Sequence, residues 1–119
     1  MPRILPFQGV RYNPARASDI TRVTAPPYDM IPPAEQDELY RRDPHNVVRL
    51  ILGREQEDGR PVDRYANSAA SYRRWRAEGI LEQDAVPSIY LYREDYTWAG
   101  RDYHRLGLIA RIGLDEFGG

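Results

Sequence analysis

Two amino acids are missing from this 119-residue chain, cysteine and lysine. Without cysteine the chain forms no disulfide, offers no thiolate to a metal and has no thiol nucleophile. All 17 basic residues are arginine. The absence of lysine excludes Schiff-base chemistry, a lysine general base and the lysine of a phosphate-binding P-loop within this chain. The chemistry open to it uses hydroxyls, carboxylates, arginines and two histidines.

Long apolar runs and an excess of positive charge are also missing. No run approaches the length of a membrane-spanning helix, which is about 20 apolar residues. Pro2 and Pro6 interrupt the apolar stretch near the N-terminus, so no signal-peptide core is present. The formal net charge is -1, whereas nucleic-acid-binding domains concentrate positive charge. We therefore predict a cytoplasmic protein that binds no membrane, and the charge balance argues against nucleic-acid binding.

The order of apolar segments predicts a single α+β domain over residues 1–119, with a mixed β-sheet, a C-terminal β-hairpin and two helices packed on the sheet. A chain of this length buries roughly two-thirds of its unfolded surface, which is enough for a modest core. The predicted helices cover residues 33–41 and 61–78. The predicted strands cover residues 5–12, 46–52, 88–98 and 102–114.

Aromatic side chains follow regular spacings in two of these elements. In the second helix, a stripe at helical spacing, with Trp75 at its margin, predicts a face turned to the core. The stripe consists of Val62, Tyr65, Ala66, Ala69 and Tyr72. In the first strand of the hairpin, an aromatic row lies on one face together with Glu94. That row is either a set of rings that cover the edge of the core or a stacking platform for bases. It consists of Tyr90, Tyr92, Tyr96 and Trp98.

The first candidate site is Tyr28 with Asp29, which follow Pro26 and Pro27 directly. Each proline fixes its own φ and biases the residue before it toward extended geometry, so a hydroxyl and a carboxylate emerge from a stiff backbone. Rigid presentation of polar groups suits a catalytic site. It also suits a tight structural corner, and the sequence leaves both interpretations open.

Arg49 is the second candidate, because it interrupts the apolar run at residues 46–52. A guanidinium in an apolar strand needs a carboxylate, several carbonyls or a bound anion as partner. Asp29, on the stiff segment just upstream, is a candidate partner from within the chain. A structural ion pair and an anion-binding site are therefore both open interpretations.

No metal site is predicted. His45 and His104 are the only histidines, and no second histidine stands at the spacing of a metal-binding pair. Nucleophile-elbow and phosphate-loop patterns are also missing from the sequence. The sequence names no cofactor.

Six stretches, in this order and spacing, make the chain resemble the start of the bacterial and archaeal family called domain of unknown function 1015. They are residues 6–13, 25–29, 46–53, Trp75 with 79–81, 89–92, and Arg105 with Gly107. Pro32 departs from the family pattern, which often has a helix-capping serine there, so Asp29 is expected to contribute to the cap.

The resemblance implies a longer protein that continues into a segment with a His-Glu-Arg-Thr-like motif. Because this chain stops at Phe117, Gly118 and Gly119, we expect a truncated or N-terminal portion. A missing C-terminal segment or a second copy of the chain would then complete the site.

The family is uncharacterised, and its association with serine biosynthesis implies part of an enzyme that binds a small anionic metabolite, such as serine or phosphoserine. In that interpretation Arg11, Arg49 and Arg105 bind the carboxylate or phosphate. Asp29 acts as the general base or orients one, and Tyr28 and Asn46 hold the substrate by hydrogen bonds. A noncatalytic module that senses a ligand or interacts with a partner is the alternative, so enzymatic activity is left undecided.

Overall fold

A computed structural model describes residues 2–116, and these divide into two compact units. One unit spans Arg11–Glu82, and the other combines the chain up to Val10 with the chain from Gln83 onward. Helices and small two-stranded sheets occur together, which confirms the predicted α+β class. No helix within residues 2–116 has the length and apolar composition needed to cross a bilayer. The predicted truncation after Phe117, Gly118 and Gly119 falls outside the described residues.

The unit Arg11–Glu82 holds the three α-helices. They are α1 (Pro33–Arg42), α2 (Val48–Ile51) and α3 (Arg64–Ala77). The α1 helix begins with Pro33 at its first position, as predicted, because the missing N–H of proline is not needed there. Asp63 caps α3, since its carboxylate accepts from the backbone N–H of Tyr65 and of Ala66 at 3.0 Å. Two 3₁₀ turns, Ile20–Arg22 and Tyr28–Met30, precede α1.

Eight short strands complete the described chain, and within residues 2–116 they pair as four two-stranded sheets: β1 with β8, β2 with β5, β3 with β4, and β6 with β7. The predicted strand at residues 5–12 is split into two of them, β1 and β2. The strands are β1 (Ile4–Leu5), β2 (Val10–Tyr12), β3 (Gln56–Glu57), β4 (Arg60–Pro61), β5 (Leu81–Gln83), β6 (Tyr90–Trp98), β7 (Arg101–Ile109) and β8 (Arg111–Ile112).

The core of the unit Arg11–Glu82 is centred on Trp75 of α3, which is 1% exposed. The His45 ring meets Trp75 edge-on, with the two centroids 5.4 Å apart. The other buried apolar side chains of this unit are Val23, Leu39, Val48, Ile80 and Leu81. Burial of large aromatic and aliphatic side chains is the main stabilising term for such a unit.

Two sequence predictions in this unit are wrong. Within the predicted strand 46–52, Val48–Ile51 form the short helix α2, because a short apolar run that packs against α1 and α3 is buried equally well as helix. The stripe predicted for α3 is the exposed face, with Tyr65 72% exposed. The buried or partly buried positions are Arg64, Ser68, Ser71 and Trp75. Trp75, near the C-terminal end of α3, therefore determines which face of the helix is buried, whereas the alanines do not.

The other unit contains the predicted C-terminal hairpin, with β6 paired to β7 from Tyr90–Ile109 to Trp98–Arg101. Ala99 and Gly100 form the two-residue turn, both with positive φ (51° and 75°), as a turn between twisted strands requires. The register places the aromatic row on one face with Glu94, which confirms that prediction. Leu91, Leu106 and Leu108 lie on the opposite face and are highly exposed.

Candidate functional site

The Tyr28–Asp29 pair lies on the 3₁₀ turn Tyr28–Met30, between two proline pairs. Pro26 and Pro27 precede the turn, and Pro32 and Pro33 follow it. Tyr28 is 62% exposed and Asp29 is also exposed, so both project from a stiff segment into solvent. The expected contribution of Asp29 to the cap is wrong, because no side chain among residues 2–116 forms a cap hydrogen bond at the start of α1.

Arg49, on α2, is bound to Tyr40 and not to Asp29. Its Nη2 donates to the backbone carbonyl oxygen of Tyr40 at 2.9 Å. Its Cζ lies 4.4 Å from the centroid of the Tyr40 ring, within the range of a cation–π contact. Asp29 forms no ion pair with Arg49 in the described part of the chain, so the predicted partnership is wrong.

The Nε of Arg49 is the unusual atom of this region. It is buried, and none of the described residues gives it a hydrogen-bond partner. A buried donor without a partner costs about 1–3 kcal/mol, and more when the group is charged. A buried donor of this kind needs a partner such as a water, an ion or a ligand.

Arg49 borders a small recess of about 50 Å³, which is room for a few waters or for the head group of a carboxylate or phosphate. A second cation, Arg54, lines it, together with hydroxyl and amide side chains that are hydrogen-bonding groups. The full lining is Tyr40, Arg49, Gly53, Arg54, Glu57, Asn67, Ser68 and Ser71.

Arg54 is held in place by three contacts. Its guanidinium pairs with Asp37 at 3.0 Å, and its Cζ lies 4.1 Å from the centroid of the Tyr40 ring. Its backbone N–H donates to the Tyr40 hydroxyl at 3.1 Å. Tyr40 thus positions Arg49 and Arg54 together, which is the preorganisation that an anion site needs.

A wider, open cleft of about 940 Å³ shares Tyr40, Arg49, Arg54 and Glu57 with the recess. Charged groups of both signs surround it, and Arg41 adds a third arginine. The remaining lining residues are Gln36, Asp37, Glu55, Gln56, Asp58 and Gly59. A ligand seated in the recess would extend into this cleft.

Tyr28 borders a different cleft of about 420 Å³, which is lined mainly by Ile51, Leu52 and Tyr65. Gly53 and Ser68 line both this cleft and the recess. They pack tightly there, because a Cβ added at Gly53 would lie 2.9 Å from Ser68 Oγ. The structure therefore places Tyr28 beside the recess, on the other side of the contact between α2 and α3.

Asn46 is fully buried, and its side chain forms hydrogen bonds with the backbone of three other residues. Its Nδ2 donates to the carbonyl oxygens of Arg22 (2.9 Å) and Thr24 (3.0 Å), and its Oδ1 accepts from the N–H of Val48 at 2.9 Å. Both Nδ2 hydrogens are used in these bonds. This geometry gives Asn46 a structural role at the start of α2.

Arg11 does not line the recess, and Arg105 belongs to the other compact unit. Arg11 is an exposed residue of β2. Arg105, in β7, pairs with Glu94 across the hairpin, and the hydrogen bond that it donates to the Glu94 carboxylate raises the pKa of its guanidinium above the usual value. The anion-binding roles that the resemblance implied for both residues stay predictions.

The signals for this site were only partly present in the sequence. Arg49 stood out, but Tyr40, Arg54 and Ser68 carried no motif. Among residues 2–116, no group of three or more His, Asp or Glu side chains is placed to hold a metal ion.

Comparison with known proteins yields one result. A family model described as "Protein of unknown function (DUF1015)" matches residues 4–119. No curated protein and no solved structure matches the chain.

Proposed function

We propose that this chain, which belongs to DUF1015, a family of proteins of unknown function, binds a small anionic metabolite in the recess between Arg49 and Arg54. The observation that carries the proposal is the Arg49 Nε, which finds no hydrogen-bond partner in the described part of the chain. A carboxylate or phosphate oxygen would satisfy this donor, and arginine presents the planar fork that both anions fit. Serine and phosphoserine, which the family resemblance suggested, are the first metabolites to test.

The residues that line the recess support it as the site. Arg54 supplies a second positive charge, and the Tyr40 ring fixes the position of both guanidinium groups. Asn67 and Ser71 supply neutral hydrogen-bonding groups on α3. Charge-assisted hydrogen bonds of this kind are about twice as strong as those between neutral groups.

An enzymatic role is part of the same proposal. Asp29 is exposed on its stiff turn, and Tyr28 lines the cleft that shares Gly53 and Ser68 with the recess. In this role Asp29 acts as general base or orients one, and Tyr28 binds the substrate. Full-length protein assayed with serine, phosphoserine and nucleotides should lose turnover in Asp29→Asn. Full activity in that variant would remove Asp29 from the mechanism.

A noncatalytic interaction module is the second candidate, and the exposed hairpin favours it. Leu91 is 81% exposed and Leu106 is 71% exposed on one face of a two-stranded ribbon. Two-stranded ribbons are marginal on their own, so this face gains stability from a covering partner. In this candidate role the protein is cytoplasmic. The covering partner is a second copy of the chain or a further segment of the protein. Light scattering at several protein concentrations would detect self-association.

Isothermal titration with inorganic phosphate, serine and O-phosphoserine tests the binding proposal. We expect binding by the native chain and a loss of about tenfold or more in Arg49→Gln, which corresponds to about 1.4 kcal/mol. Arg73→Gln is the matched control, because Arg73 is exposed on α3 and lines neither the recess nor the wide cleft. Equal affinities in Arg49→Gln and the native chain would refute the recess as the site.

A further inference from the structure

We propose that two copies of this chain pair through the outer edge of β6, so that their two hairpins form one antiparallel sheet of four strands. The proposal rests on the interaction role, the second candidate above, for which it names the partner and the surface. It is independent of the anion recess. It follows from the symmetry of the side chains along β6.

The edge of β6 that faces away from β7 has no strand beside it in the described part of the chain, because β6 forms a ladder with β7 alone. The isolated bridge between Phe7 and Ser88 lies before β6 begins. Every residue of this nine-residue strand after Tyr90 is exposed. An edge of this kind offers a row of backbone N–H and C=O groups to another strand.

The charges of β6 are symmetric about its middle residue, Glu94. Arg93 precedes Glu94 and Asp95 follows it, both on the opposite face of the ribbon. In a two-fold antiparallel pair centred on Glu94, Arg93 of each strand lies opposite Asp95 of the other. Opposite charges in directly opposed positions stabilise a sheet. The two side chains are 60% and 67% exposed and pair with each other at 2.8 Å within one strand, so no buried contact is lost when they exchange partners.

The aromatic residues of β6 follow the same symmetry. Centring the pair on Glu94 sets Tyr92 opposite Tyr96 and sets Tyr90 opposite Trp98, twice each. Tyr92, Tyr96 and Trp98 are all exposed. Aromatic pairs in opposed positions stabilise antiparallel strands, so the rings favour the register that the charges favour.

The neighbouring registers oppose like charges. Centring the pair on Arg93 sets that arginine against its own copy, and centring it on Asp95 sets two aspartates together. Charges in the middle of an edge strand discourage pairing with arbitrary strands, and here they select the register centred on Glu94. The two Glu94 side chains then meet at the two-fold axis, where each is paired with Arg105 of its own hairpin.

The outer edge of β7 lacks this symmetry. Centring β7 on Tyr103 sets Arg101 against Arg105, and centring it on Arg105 sets that arginine against its own copy. We therefore place the two-fold axis at β6. A two-stranded ribbon is marginal on its own, whereas four strands with an apolar face form a stable sheet.

Charge reversal tests both the edge and the register. Arg93→Asp sets carboxylates against each other at both contacts, and Asp95→Arg does the same with arginines. In light scattering at increasing protein concentration, the mass of the native chain should rise from 13.8 kDa toward twice that value. Each single variant should have a dissociation constant about tenfold higher or more, because two attractive contacts become repulsive. Arg73→Asp, on the exposed face of α3, is the control and should associate as the native chain does.

Mixing the two single variants is the sharper measurement. In an equimolar mixture, the two acidic residues of one variant face the two basic residues of the other, so association should return to the native strength. The double variant Arg93→Asp with Asp95→Arg should also associate with itself, since it exchanges the two charges. A local folding defect in either variant is not repaired by mixing, so recovery identifies the contact across the axis.

Three outcomes would overturn this inference. One is a mass of 13.8 kDa for the native chain at every concentration up to about 1 mM. Another is self-association that neither single variant weakens, because it would use another surface. The third is a mixture and a double variant that both fail to recover. None of these results affects the anion recess, which phosphate titration of Arg49→Gln tests, and a monomeric native chain leaves a further segment of the protein as the partner of the hairpin.

Discussion

Arg49 and Tyr40 are joined through both backbone and ring: the Arg49 guanidinium donates to the Tyr40 carbonyl oxygen at 2.9 Å and lies over the Tyr40 ring, 4.4 Å from its centroid. The same ring holds Arg54 at 4.1 Å. Two like charges are thus kept close by one aromatic side chain, whose negative face offsets part of their repulsion. Because both arginine side chains are already held in place, anion binding does not pay the entropic cost of ordering them.

Tyr40→Leu should therefore weaken both the fold and the anion site. We expect a loss of about 1–2 kcal/mol in the free energy of unfolding, from two cation–π contacts and one hydrogen bond. Phosphate affinity should fall because Arg49 and Arg54 become mobile. Urea unfolding and titration calorimetry measure the two effects.

Tyr40→Phe is the matched control for that change, since it keeps the ring and removes only the hydroxyl that accepts from the Arg54 N–H. It should cost about 0.5–1.5 kcal/mol of stability and leave phosphate binding nearly unchanged. A loss of phosphate affinity in Tyr40→Phe as large as in Tyr40→Leu would show that the ring is not what positions the arginines.

Asn46→Ala should be among the more destabilising substitutions in this unit. The change leaves the carbonyl oxygens of Arg22 and Thr24 and the N–H of Val48 without their partner in a buried place. We expect a loss of about 2–4 kcal/mol in urea unfolding. Asn67→Ala, on the exposed face of α3, should change stability by less than about 0.5 kcal/mol. Similar effects of the two variants would contradict the structural role of Asn46.

Residues with strong backbone preferences predicted where a helix starts and where a hairpin turns. Pro33 located the start of α1, and Ala99 with Gly100 located the turn of the hairpin. Asp58 and Gly59 are an equally clear turn signal, and reading it would have revealed the small β3–β4 hairpin. These features depend on the backbone preferences of one or two residues, which the sequence states directly.

Long-range packing was not predictable in the same way. The apolar run at residues 46–52 fits either a strand or a buried helix, and only α1, α3 and the Asn46 side chain decide for the helix. For the same reason, the candidate site could be predicted from the sequence only in part. Arg49 was marked by its apolar neighbours, but its partnership with Tyr40 spans two helices, and no spacing in the sequence encodes it.

The alkaline pH dependence of stability should include a distinct contribution from Tyr12. Its hydroxyl donates to the His45 carbonyl oxygen at 2.6 Å, and burial, together with the nearby Asp43 charge, raises the pKa of Tyr12 to about 12. Because the unfolded pKa is near 10.0, the unfolded chain loses this proton first. The stability that Tyr12 contributes is complete below pH 10 and is lost as the pH rises from 10 toward 12.

Urea unfolding followed by far-ultraviolet circular dichroism at pH 9, 10 and 11 would measure this contribution. The chain has no lysine or cysteine, so tyrosines dominate its side-chain titration in that range. Tyr12→Phe should be less stable at pH 9, where the hydrogen bond is lost, and should decline less steeply toward pH 11. An identical decline in the two proteins would rule out a raised pKa for Tyr12.

Gly107 and Tyr92 should show strong energetic coupling in the hairpin. They are directly paired across β6 and β7, and a Cβ added at Gly107 would overlap the end of the Tyr92 ring. Gly107→Ala should therefore displace that ring and cost about 1–3 kcal/mol. In a Tyr92→Ala background the same change should cost nothing, because alanine suits a strand better than glycine does. Hydrogen exchange of the hairpin amides in the four proteins of this cycle measures the coupling, and additive effects would show that the ring does not pack on Gly107.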